Sequence, residues 1–177
     1  MFDRFIDLFI SIFNDIKPII FIFEYKEGIL LRGGRFKKVL KPGWHFRIPF
    51  IDDYYVENVK TDTMRIDGVN ITTADNKTAT IGCEFDLRIT DIYKAMVDTN
   101  DWRSNLHDMC SGILSDYLED LNWEDIRKKT TKNAIAKRIS HRAEEMGITT
   151  SNFNYTDKVL SRAFKLFNDK TNTLLTN

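Results

Sequence analysis

Between Thr78 and Thr90 the chain alternates, with Ile81, Cys83, Phe85, Leu87 and Ile89 at every second position and small or polar residues between them. Successive side chains of a strand point to opposite faces, so this spacing predicts one long strand with a wholly apolar side. That side must be covered. The segments before it read as short strands, so the helical stretches after it are the material available for the cover. The expected class is α+β, an antiparallel sheet with helices packed on one side.

The upstream strands are expected at about Gly28 to Arg32, Arg35 to Leu40, Trp44 to Phe50, Tyr54 to Met64 and Gly68 to Thr73. Gly33-Gly34, Pro42-Gly43, Asp52-Asp53, Asp67-Gly68 and Asp75-Asn76 separate them, and each is good turn chemistry. Trp44, Phe46, Ile48 and Phe50 alternate with His45, Arg47 and Pro49, a strand with one apolar face that lies at a sheet edge or ends at Pro49. Downstream, Asp91 or Thr90 caps a short helix through Val97. A second helix starts near Asn100 or Asp101 and carries Trp102, Leu106, Met109, Cys110, Ile113, Tyr117 and Leu118 at core spacing. A third stretch opens at Asn122 and runs, with a break at Thr130-Thr131, to Met146, with Gly147 as its stop. Ile148 to Tyr155 reads as a last strand and Lys158 to Phe167 as a short helix.

Several of these segments resemble the stomatin, prohibitin and flotillin family, known as SPFH or band 7. The likeness is carried by Gly28 to Phe36, by Leu40 to Phe46 with Ile48-Pro49-Phe50, by Thr72 to Asn76, by Phe85 to Asp91 and by Met146-Gly147-Ile148. It covers roughly residues 22 to 165. The resemblance implies an SPFH-like domain over 24–167, in which Gly34, Pro42, Gly43, Phe46, Pro49 and Phe50 are structural motif residues. It also implies no conserved active site and a role in assembling on membranes and organising or restraining membrane proteins, membrane proteases included. Family members often carry a long coiled coil after the domain. No sustained heptads are present here, so any homo-oligomer is expected to use the domain faces and the end helices, ahead of a polar tail at 168–177.

Residues 2 to 16 read as an amphipathic helix with Phe2, Phe5, Ile6, Phe9, Phe13 and Ile16 on one stripe. Pro18 stops or kinks it, and Ile19, Ile20 and Phe21 continue the apolar character within a segment spanning 1–23. Asp7, Asp15 and Lys17 oppose a simple bilayer span, each costing about 2.5–3.5 kcal/mol near the centre. A helix lying in the membrane interface fits better. Its polar side is acidic, which gains nothing from anionic lipid, so packing on protein satisfies the same stripe. There is no secretory signal, since Asp3 and Asp7 interrupt the first apolar run.

Formal charge sums to zero, which excludes a general attraction to nucleic acid. It is unevenly placed: residues 1–50 carry nine basic and five acidic side chains, 51–126 six and seventeen, and 127–177 eleven and four. Solvated helix faces account for this, and so does lateral packing of copies with opposite charges matched. Cys83 and Cys110, without a metal-binding or disulfide spacing, read as buried reduced thiols. His45, His107 and His141 form no catalytic pattern, and no phosphate-binding or nucleophile motif occurs. The expectation is a non-enzymatic scaffold on the cytoplasmic face of a membrane, without cofactor or metal, that binds lipid, copies of itself and other membrane or SPFH-family proteins. Two alternatives stand beside it: a soluble or virion-type oligomer using the N-terminal helix as a subunit interface, and a regulator or decoy of a membrane-protease complex.

Overall fold

The computed structural model describes residues 18–160, and the helix expected over residues 2–16, like the chain beyond Leu160, lies outside them. Eight strands and four helices follow in order: β1 (Ile19–Ile22), β2 (Lys26–Arg32), β3 (Arg35–Leu40), β4 (Gly43–Phe46), β5 (Asp52–Asn58), β6 (Asp62–Thr72), β7 (Thr78–Ile89), α1 (Ile92–Val97), α2 (Trp102–Glu119), α3 (Trp123–Ile126), α4 (Lys129–Glu145) and β8 (Ile148–Leu160). All pairings are antiparallel, and helices cover one side, as α+β requires. The strands divide among three sheets rather than forming one: β6-β7-β8, β3-β2-β5 and a β1-β4 ribbon.

The alternating strand sits where its pattern demands. β7 is central in its sheet, and Ala79, Ile81, Cys83, Phe85, Leu87 and Ile89 are all buried. Leu106, Cys110, Leu114 and Leu118 of α2 and Ile135, Ile139 and Ala143 of α4 close over them, and Ile29 of β2 joins the same core. A second, smaller core of Ile20, Ile22, Leu30 and Leu40 joins the ribbon to the three-stranded sheet.

Local chemistry fixes the element ends. Asp91 and Asp101 cap α1 and α2, each accepting two backbone N–H bonds. Gly147 ends α4 at φ 74°, where a Cβ would meet the Asp91 carbonyl oxygen at 2.5 Å. Its own carbonyl accepts from the N–H groups of Thr90 and Asp91, which ties the helix exit to the end of β7.

Several boundaries differ from expectation. Tyr54 to Met64 divides into β5 and β6, because the chain changes sheet at Val59–Thr61. Asp67-Gly68 is a bulge inside β6 rather than a turn. The helical break falls at Arg127-Lys128 instead of Thr130-Thr131. β8 runs past Tyr155 and takes Lys158 to Leu160 into pairing with β7, where a helix is expected. Pairing along the whole of β7 outweighs a local helical pattern.

Candidate functional site

The β1-β4 ribbon places Ile19 opposite Phe46 and Phe21 opposite Trp44. Period-two alternation therefore sorts the apolar run at the start of the domain. Ile20 and Ile22 fill the smaller core, while Ile19, Phe21, Trp44 and Phe46 lie exposed. Of the three contact residues expected here, Ile20 faces inward and Ile19 and Phe21 face out.

The exposed rings touch. Phe21 meets Trp44 at 5.0 Å and Phe23 at 5.1 Å, and Phe23 stacks on Tyr25 at 5.7 Å. Lys60 lies 4.6 Å over the Tyr25 ring and Lys26 5.8 Å from it, so this aromatic row ends in a cationic rim. Trp44 is 73% exposed and Phe46 77%. A soluble domain rarely displays large rings this way without a partner.

Beyond Phe46 the strand stops. Pro49 and Phe50 form a turn, and Phe50 stands 93% exposed at φ 68°. Contacts from outside the turn hold it in place. The Asp52 carboxylate, with no side-chain exposure, accepts from Arg32 Nε at 2.7 Å and Nη2 at 2.9 Å, and from the Ile48 N–H at 2.8 Å. The Gly33 N–H donates to the Ile51 carbonyl at 2.9 Å. Bonding to the Arg32 guanidinium and then the Ile48 N–H lowers the Asp52 carboxyl from 3.8 to about 2. Phe50 is thus presented on a clamped turn rather than a loose one.

The other motif residues serve this geometry. Gly34 at φ 76° closes the β2-β3 hairpin, and Gly43 at φ 125° after Pro42 turns the chain from β3 into β4. The expected apolar strand face of Trp44, Phe46, Ile48 and Phe50 is exposed rather than packed, and it is interrupted after Phe46.

Groups with chemical potential are scattered. His45 Nε2 pairs with the Lys41 carbonyl at 2.6 Å, and His107 Nδ1 lies 3.3 Å from Asp108. Burial pushes the Cys83 and Cys110 thiols up to about 12, which suppresses the thiolate. Among the described residues no group of three His, Cys, Asp or Glu side chains could hold a metal ion, and no helix is long and apolar enough to cross a membrane. A groove of about 470 Å³ between α1 and the β3-β2-β5 sheet is lined by Phe36, Tyr55, Met96 and Trp102 and contains no His or Cys.

Phe23 and Tyr25 were not legible as surface residues, because a run of apolar residues does not reveal which of them a paired strand turns outward. The Arg32–Asp52 clamp joins positions twenty residues apart and has no local signal.

The model of the SPFH domain / Band 7 family matches residues 21–165. An uncharacterized protein of Methanocaldococcus jannaschii is 24% identical over 120 residues, 68% of this chain and 60% of its own length. Human stomatin-like protein 2, mitochondrial, is 27% identical over 142 residues, 78% of this chain and 40% of that protein. Protein HflK of Vibrio parahaemolyticus is 32% identical over 72 residues, 40% of this chain and 18% of that protein. The chain thus spans between 18% and 60% of the length of these relatives. With the family model matching most of its length, the chain belongs to the SPFH domain / Band 7 family.

Proposed function

We propose that this chain is a non-enzymatic membrane-associated scaffold whose domain meets the membrane interface through the aromatic face of β1 and β4 and the Phe50 turn. The observation that carries this reading is the touching row of exposed rings, Trp44, Phe21, Phe23 and Tyr25, with lysines at its far end. Trp and Tyr favour the boundary between acyl chains and headgroups, where the ring is apolar and its edge stays wet. Residues 1–17, with the stripe Phe2, Phe5, Ile6, Phe9, Phe13 and Ile16, lead directly into β1 and extend the same contact. Lateral self-association multiplies such weak contacts into firm attachment. The cytoplasmic face, and the organising or restraining of membrane proteins, belong to the same proposal on the strength of family membership.

Flotation of the full chain on phosphatidylcholine/phosphatidylserine vesicles tests it. Replacing Trp44, Phe46 and Phe50 together with serine is expected to lower the bound fraction severalfold with unchanged thermal unfolding, because all three side chains are already exposed. Equal flotation of the two proteins contradicts the assignment of this face. Failure of the wild-type chain to float contradicts membrane association itself.

A further inference from the structure

The helical layer is divided by charge. Between positions 98 and 126, Arg103 is the single basic residue against eight acidic ones, and between 127 and 142 there are seven basic residues and no acidic one. The division is also spatial. Asp108, Asp116 and Glu119 of α2 are exposed, and so are Lys129 and Lys137 of α4. The two helices lie side by side, with the Arg138 guanidinium 4.4 Å over the Tyr117 ring.

Among the described residues these opposite charges meet in one ion pair, Lys128 with Asp125 at the break between α3 and α4. Among the described residues no ion pair joins α2 to α4, and Asp116, Lys129 and Lys137 have no ion-pair partner within 4 Å. The basic side is crowded where α4 meets β8. Lys132 donates to Asn154 Oδ1 at 2.6 Å, and the Lys158 ammonium lies 4.3 Å over the Tyr155 ring. Burial, then repulsion from Arg127 and Lys132, lowers the affinity of Lys158 for its proton. Crowding of like positive charge on this face is relieved when acidic side chains of another copy are set against it.

We propose that the acidic outer face of α2 in one copy docks on the basic face formed by α4 and the end of β8 in the next, so that copies join head to tail. This rests on the self-association in the proposed function and names its surface. A head-to-tail contact of this kind is heterologous, and the succession of contacts ends only if it closes into a ring. Opposed charge sets orientation and register and makes the contact sensitive to salt, with screening over about 10 Å at 0.1 M.

Charge reversal on the full chain tests this in solution, without lipid, by sedimentation velocity against concentration at low salt. Asp116→Lys with Glu119→Lys places two positive charges on the acidic face, and Lys129→Glu with Lys137→Glu places two negative charges on the basic face. Each variant alone is expected to need about tenfold or more higher concentration to assemble, equivalent to about 1.4 kcal/mol, while thermal unfolding stays near wild type. An equimolar mixture of the two is expected to recover assembly, because the reversed α2 face of one copy is again set against unlike charge, on the reversed α4 face of the other. Unchanged assembly of either variant overturns the proposal, as does a mixture that fails to recover, or a wild-type chain that stays monomeric. A wild type that assembles but does not float on vesicles defeats the membrane reading alone. One that floats and assembles regardless of these reversals defeats this interface alone.

Discussion

Two buried or half-buried carboxylates decide local order at the scale of single residues, and both are detectable by their protons. Asp52 holds the Phe50 turn through Arg32 and the Ile48 N–H. Asp75 is lowered from 3.8 to about 2 by Lys77 first and then by the Thr73 hydroxyl, and its Oδ1 accepts from the Trp123 N–H at 3.1 Å, docking the β6-β7 turn on the start of α3. Because both folded values lie below the unfolded one, their stabilisation is complete above the ordinary carboxylate range and is lost as pH falls from about 4 toward 2. Asp52→Asn and Asp75→Asn are each expected to lower Tm at pH 7 and to flatten its decline in that acid window, as followed by circular dichroism. Arg32→Met is expected to lower Tm more than Asp52→Asn does, since it strands a carboxylate that has no exposure. The thiols offer a second residue-level check. Cys83 and Cys110 are buried at 0% exposure and are expected to resist iodoacetamide at pH 8 in the native protein and to react fully in denaturant, read by mass spectrometry.

At the scale of elements, the strength of a signal tracked how locally it was written. The alternation in β7 and the core stripe of α2 appear in residues next to or four apart from one another, and both elements formed where their patterns put them. Gly147 was equally legible as a stop, and the N-caps were legible to within one residue, as Asp91 or Thr90 and as Asn100 or Asp101. What the pattern did not reveal depends on partners distant in sequence. The division of Tyr54 to Met64 follows from β5 pairing with β2 while β6 pairs with β7. The outward turn of Trp44 and Phe46 follows from β1 pairing with β4, which left an alternating apolar strand without a cover on that side. Gly28 and Gly82, where an added Cβ would meet Tyr55 O at 2.3 Å and Thr156 Oγ1 at 2.5 Å, are likewise explained only by a neighbouring strand. The central packing carries a direct expectation: Leu114→Ala, at 0% exposure between α2 and the sheet, should destabilise by about 2–5 kcal/mol in urea titration. Phe46→Ala, on the exposed side of the ribbon, should change stability by about 0.5 kcal/mol or less.

For the whole molecule, the arrangement separates two tasks. One surface displays rings and a clamped Phe50, and the helical layer carries an acidic and a basic stretch. Neither surface contributes to the core, so each can be altered without unfolding the domain. That independence is what makes a scaffold reading testable.

The protein supplies its own probe. Of its three tryptophans, Trp102 and Trp123 are 8% exposed in the core, whereas Trp44 is 73% exposed on the aromatic face. Titrating the full chain with vesicles of acyl-brominated phosphatidylcholine and phosphatidylserine should quench part of the tryptophan emission. Trp44→Phe should remove that quenched part and leave the remaining emission unaffected by lipid. Quenching that survives in Trp44→Phe, or wild-type emission that brominated vesicles leave unchanged, would contradict contact between this face and a membrane.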